Sequence, residues 1–228
     1  MMEMIDLNPL ALTFKLAVVT TIILLFVSVP IAYWLAYSKW KIKPVIEALV
    51  SMPLVLPPTV IGFYMLLAFS PANALGSWLE NWIGLRLVFS FEGLVLGSVI
   101  YSLPFMVQPI QAGFSNLSPD LKKASYIMGK SRITTLSRVL LPNIKPSLLT
   151  GIILAFAHTI GEFGVVLMIG GNLAGSTRVA SIAIYDEVEA MNYDAANTYS
   201  LILFGITFAI LLLVYLVNGG HFKRIRND

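Results

Sequence analysis

The sequence predicts an all-α polytopic membrane protein with about five membrane-crossing helices, since each crossing needs about 20 apolar residues. Three observations carry that reading. Of 228 residues, 57% are hydrophobic and only 12% charged, against about 45–50% and about 25% in a soluble domain. Mean hydropathy is +0.83. Long uncharged runs recur, giving spans at about 16–38, 48–70, 93–117, 146–170 and 195–217 of a single transmembrane domain, 1–228. This pattern excludes a soluble enzyme and a disordered chain. The pI of about 9.1 reflects a net charge of only +3, too little for a nucleic-acid partner; the expected surroundings are a lipid bilayer. Cysteine is absent, which excludes a disulfide framework, a thiolate metal site and a cysteine nucleophile.

The first twelve residues carry Glu3 and Asp6 but no basic residue. They lack the positive start of a cleavable signal, so the first span is expected to be retained. Orientation follows from the basic residues. With the N-terminus outside and the C-terminus in the cytoplasm, twelve of the fifteen Lys and Arg residues fall inside: Lys39, Lys41 and Lys43, six in the loop 118–145, and Lys223, Arg224 and Arg226. Only Lys15, Arg86 and Arg178 fall outside. The outer loop 71–92 holds Trp78, Trp82 and Phe91, suited to the headgroup zone. The outer loop 171–194 carries Asp186, Glu187, Glu189 and Asp194 around the apolar stretch 179–185. Seven residues cannot cross, so this stretch is expected as a short re-entrant or surface helix.

The second span contains Pro53, Pro57 and Pro58. Each interior proline removes a backbone hydrogen bond and crowds the preceding turn. Three so close together predict a broken helix lining a pathway rather than a simple kink.

Glu162 is the one carboxylate deep in a span, within Gly161-Glu162-Phe163-Gly164. A charge there costs about 3 kcal/mol, so it should face protein or water, and the flanking glycines allow close approach or a break. His158 is four residues earlier, on the same face of a continuous helix. Pathway lining, a proton relay and a metal site all fit these two residues, although a metal site needs three or four ligands, and none is expected. The stretch 170–177 resembles a phosphate loop, but Ser176 stands where the lysine belongs and no strand precedes it. No catalytic constellation and no cofactor-binding loop is present, so the chain is not expected to be an enzyme.

The loop 118–145 is the most informative segment. Ser118, Pro119 and Asp120 form a helix start: a hydroxyl cap, a proline at the first position and an acid in the first turn. The helix should stop at Gly129. A second helix is expected from about Ser131, ending before Pro142, with Ile133, Leu136, Val139 and Leu140 in helical period. On the first helix, Ala124, Ser125 and Met128 are expected to share a face of little bulk. Six basic residues accompany these helices, and the pair reads as a docking element; a lipid-surface pair would use the same charges on headgroups.

Lys123-Ala124-Ser125, then Gly129, then Val139-Leu140-Leu141-Pro142 resembles the EAA loop of ABC importer permeases, with Lys123 in place of the usual Glu and Ser125 in place of the second Ala. Residues 52–58, 157–164 and 181–185 are similar to the sulfate/molybdate/tungstate branch, above all to its molybdate members, and the likeness spans about 14–213. The resemblance implies a type I importer permease fold. It implies a homodimer around a central pathway in the cell's inner membrane, moving an oxyanion by alternating access; molybdate is favoured over tungstate or sulfate. Each chain would dock one of two cytoplasmic ATPase subunits through Lys123, Ala124, Ser125, Met128, Gly129, Leu141 and Pro142. ATP and Mg would sit on those subunits, and a soluble binding protein would deliver the ion outside. The moving surfaces would lie at Pro53, Pro57, Pro58, Gly161, Glu162 and Gly164. The alternative from another class is a stand-alone proton-coupled transporter or channel using Glu162 and His158.

Overall fold

A computed structural model of the chain describes residues 6–218. Glu3, His221 and the basic residues Lys223, Arg224 and Arg226 lie outside the described residues.

The first helix, α1 (Asn8–Tyr37), starts eight residues before the predicted span. Asp6 Oδ1 accepts the Asn8 N–H at 2.9 Å, and Pro9 sits where its missing N–H is harmless. Lys15 interrupts the uncharged run without interrupting the helix, since lysine is a good helix former; its ammonium lies over the Phe91 ring at 4.3 Å.

The second predicted span is not one crossing helix. It divides into α2 (Lys43–Ser51), with a tight turn at Met52–Leu54, and α3 (Pro58–Phe69), bent by 108°. Pro57 is extended, as a residue before proline prefers, and Pro58 occupies the first helical position. The prolines therefore set the bend. With 12 residues, α3 is about 18 Å long, well short of the hydrocarbon thickness. Glu47 ties α2 down, pairing with Lys43 at 3.7 Å and accepting from Gln111 Nε2 at 2.7 Å.

On the far side of α3, α4 (Ala74–Trp78) runs into a wide turn at Leu79–Ile83, with Trp78 and Trp82 exposed. Next comes α5 (Phe91–Ser115), capped by Ser90, whose hydroxyl accepts the Gly93 N–H at 3.1 Å. The loop region supplies α6 (Pro119–Ile127), α7 (Arg132–Thr135), a wide turn over Leu136–Leu140 and α8 (Leu141–Asn143).

Its continuation, α9 (Lys145–Ile160), turns away by 79°. The predicted fourth span is divided too: α9 stops at Ile160 and α10 (Gly164–Gly170) begins beyond a non-helical Gly161-Glu162-Phe163. The stretch 179–185 enters α11 (Ala180–Glu189), and α12 (Tyr193–Asn218) ends the described chain.

Among the described residues three helices, α1, α5 and α12, are long and apolar enough to cross a membrane. The number reaches five only if 43–54 with 58–69, and 132–143 with 145–160, each count as one span.

The centre is a trio in which α1 packs along α5 and α9 packs against both. One core cluster joins Leu24 and Leu35 to Met106, Ile110, Phe114, Leu140 and Ile144. A second joins Leu16, Met65 and Leu94 to Val165, Ile169 and Ile182. Gly151 lets α9 close on the α5 backbone: a Cβ there would lie 3.1 Å from the Met106 carbonyl oxygen. By contrast α12 rests mainly on α11 and α9, with Tyr199 also meeting Leu10 and the Asp6 carbonyl, and 6% of its apolar window is buried. Phe204, Phe208 and Leu213 point outward, as a lipid-facing helix allows.

Candidate functional site

The structure brings the two helix breaks together. A Cβ on Gly164 would lie 3.0 Å from Pro58 Cβ and 3.2 Å from Thr59 N, so the start of α10 sits directly on the start of α3. One turn on, a Cβ on Gly62 would lie 2.7 Å from Met168 Cβ. Two glycines thus set how close α3 and α10 approach. The breaks flank a cavity of about 450 Å³ lined by Pro58, Thr59, Tyr101, His158, Glu162 and Phe163, among others. Pro53 is buried in the turn before α3 and is not among the cavity's lining residues.

Glu162 is 4% exposed, and neither carboxyl oxygen has a hydrogen-bond partner among the described residues. Its backbone is better held: the Ser181 hydroxyl donates to the Glu162 carbonyl at 2.6 Å. Ser181 belongs to α11, whose first N–H, from Ala180, donates to Thr13 Oγ1 at 2.8 Å. α11 therefore ties the break to the start of α1.

His158 does not share a face with Glu162, because the helix that would align them ends at Ile160. Its Nδ1 lies 2.9 Å from Ser102 Oγ, which is 3.2 Å from Thr159 Oγ1. The His158 ring stacks on Phe105 at 4.0 Å. Both residues line the cavity, but among the described residues no hydrogen bond or ion pair joins them. The phosphate-loop look-alike at 170–177 is a turn closed on itself, with Thr177 Oγ1 donating to the Gly170 carbonyl at 2.7 Å.

The loop forms a second constellation. Ser118 caps α6, its hydroxyl accepting the Asp120 N–H at 3.3 Å. Gly129 ends the helix at φ +72°, a conformation that costs other L-residues about 1–2 kcal/mol.

The second loop helix corrects the predicted stop before Pro142 and runs on to Asn143. The Leu141 N–H reaches back five residues to the Leu136 carbonyl, and this extra residue per turn absorbs the proline. The predicted small face divides as well. Ser125 turns inward, its Oγ 2.8 Å from Thr135 Oγ1 with both residues buried. Ala124 and Met128 turn outward, and Lys123 pairs with Asp120 at 3.3 Å on the surface. The outward face carries Leu121, Ala124, Ile127 and Met128, joined at the tip by Ile133. Ile127 is 86% exposed, Ile133 80% and Met128 65%.

Sequence reasoning missed Ser102, Thr159, Ser181, Lys122 and Thr135. A signal existed for the first two, hydroxyls inside otherwise apolar runs; none existed for the others, whose partners are set by tertiary contact.

Paired broken helices and an apolar-tipped basic loop, in a chain with helices long and apolar enough to cross a membrane, suit a transport permease. This chain belongs to the family of binding-protein-dependent transport system inner membrane components, which matches residues 28–227. The chain is 44% identical to a molybdenum transport system permease protein of Azotobacter vinelandii, over 96% of both chains. It is 30% identical to the corresponding protein of Haemophilus influenzae, over 92% of this chain and 91% of that one.

Two solved structures share the fold. A bacterial ABC transporter involved in import of the acidic polysaccharide alginate gives a TM-score of 0.77 at 15% identity, covering 93% of this chain and 78% of that one. An amino acid ABC transporter gives 0.60 at 18%, covering 90% and 89%. The chain is thus a multi-pass inner-membrane permease of the ABC importer class, a family that implies an ATPase and a substrate-binding protein as partners.

Proposed function

We propose that this chain is the permease of a molybdate importer, acting as a homodimer that docks two ATPase subunits in the cytoplasm and receives the ion from a binding protein outside. The N-terminus then lies outside and the C-terminus inside, which leaves the basic loop 118–145 in the cytoplasm. The observation that carries the reading is the loop's tip. Ile127, Met128 and Ile133 are largely exposed beside five Lys and Arg residues and one acid between 118 and 144. A lipid-surface pair would lay its apolar side along the membrane, whereas a protruding apolar knob held by a buried hydroxyl pair fits a cleft in another protein.

Lys123, Ala124, Ser125, Met128, Gly129, Leu141 and Pro142 form or support that knob. ATP and Mg belong to the docked subunits; this chain supplies the pathway and the lever. Closure of the two ATPases draws the two knobs together and turns the pathway outward, and product release turns it back. The paired breaks at Pro57–Pro58 and Gly161–Gly164 are where the helices are interrupted, with the Glu162 cavity beside the path. The region holds no Lys or Arg, in keeping with weak contact to an anion that must leave again. Molybdate is favoured by the 44% identity to a molybdenum permease.

The test is the native mass of the complex extracted in mild detergent, followed by uptake of radiolabelled molybdate with tungstate and sulfate as competitors. Two copies of this chain with two ATPase subunits, and uptake that excess sulfate leaves intact, are the expected results. A chain recovered without an ATPase in several detergents overturns the importer assembly; uptake abolished by sulfate overturns the ion.

A further inference from the structure

The loop is covalently continuous with two spans: α5 leads into it and α9 leads out. The first span, α1, is joined to it by side chains alone. Lys122, half-buried on the inner side of α6, holds its ammonium 4.1 Å from the centre of the Tyr37 ring and 5.0 Å from that of Tyr33. These rings stand one turn apart near the end of α1 and touch edge to face at 5.1 Å. The fully buried Phe114, at the end of α5, packs edge-on against Tyr33 at 5.6 Å. The Tyr37 hydroxyl donates to the Phe114 carbonyl at 3.1 Å. A cation, two tyrosines and a phenylalanine thus join α1, α5 and α6 at one point, while the rest of α6 packs on α7 and the wide turn after it.

We infer that Lys122 is a positioning residue, a cation–π latch that makes the inner end of α1 move with the coupling loop, so that force delivered at the loop reaches all three central helices. The inference rests on the coupling role proposed for the loop. A cation held over two aromatic faces suits a moving joint. It tolerates sliding and rotation across the ring faces, which a directional hydrogen bond would not. Lys122 itself points away from the outward face formed by Leu121, Ala124, Ile127 and Met128, and so acts through α1 rather than on the ATPase.

The experiment uses the complete importer in proteoliposomes, reading radiolabelled molybdate taken up per ATP hydrolysed. Lys122→Met keeps the aliphatic stem and removes the charge; Lys122→Arg keeps a cation; Tyr37→Leu removes a ring. The expected result is a several-fold fall in molybdate per ATP for Lys122→Met and Tyr37→Leu, near-normal coupling for Lys122→Arg, and an ATPase that still co-purifies with all three. Unchanged coupling in Lys122→Met, or an equal fall in Lys122→Arg, overturns the latch. Loss of the ATPase in Lys122→Met also overturns it, by making Lys122 a docking contact, and leaves the loop's role standing. Gly129→Val is the control on that role: if it retains both the ATPase and transport, the coupling assignment itself falls.

Discussion

Ser125 Oγ and Thr135 Oγ1 lie 2.8 Å apart in a site closed to solvent, and this pair fastens the two arms of the loop on either side of Gly129. Removing one partner strands the other, at a cost of about 1–3 kcal/mol, whereas removing both is nearly neutral. Ser125→Ala is therefore expected to loosen the loop and lower transport, and Ser125→Ala with Thr135→Val to recover most of the loss. Amide hydrogen exchange across 118–135, compared among the three forms, checks this; additive losses would show that the hydroxyl pair is not the fastening.

Gly129 sits at φ +72° with open space where a Cβ would stand, so its demand is conformational rather than steric. Gly129→Asn should retain most transport, since asparagine tolerates this conformation. Gly129→Val should lose it while the chain stays folded and membrane-inserted. Equal uptake by the two variants would contradict the argument.

At the paired breaks the demand is reversed, because space is what runs out. Gly62→Ala meets Met168 at 2.7 Å and Gly164→Ala meets Pro58 at 3.0 Å. Each substitution should cost about 1–3 kcal/mol as overpacking. The expected outcome is a lower melting temperature together with reduced transport for each. A variant that melts normally and transports normally removes the close crossing from the account.

Glu162→Gln keeps the shape of a buried side chain and removes its ability to ionise, so the fold should persist. In an ATP-driven importer, uptake by this variant should continue and a protonophore should not abolish it. Uptake that stops in Glu162→Gln, and in the wild type when the proton gradient is collapsed, would support the proton-coupled alternative instead.

Ser181→Ala withdraws the hydroxyl that meets the Glu162 carbonyl at 2.6 Å. A hydrogen bond of this kind is worth about 1 kcal/mol, so a modest drop in thermal stability is expected. Faster exchange of amides at 161–164 should accompany it; exchange identical to wild type would mean that α11 does not hold the break.

The positions of the breaks were legible in the sequence because proline and glycine act locally. Pro57 and Pro58 cannot continue a helix from α2, and Gly161 and Gly164 bracket the residues where α9 ends. What the breaks pack against was not legible. Nothing in the neighbourhood of Gly164 announces Pro58, which lies over a hundred residues away in the chain, and only the fold brings them into contact. The predicted first span begins at residue 16 because a scan for uncharged residues stops at Lys15, while the helix itself starts earlier, at Asn8, since lysine is a good helix former. Pro142 misled in the other direction, since one extra residue in the preceding turn lets a helix pass through a proline. The hydroxyls were the least visible. Ser125 could be read as a departure from a family alanine, but its partner Thr135 appears only once Gly129 has folded the loop back.

The bend at Ile144 divides one stretch of chain into two unequal arms. From Arg132 to Asn143 the chain is one arm of 12 residues, about 18 Å long. From Lys145 to Ile160 it is a second of 16 residues, about 24 Å. They meet at 79°, and Ile144 at the corner is buried in the core cluster. Ile160, at the far end of the longer arm, directly precedes the Glu162 break, so one continuous stretch of chain connects the loop to that cavity across a single packed corner.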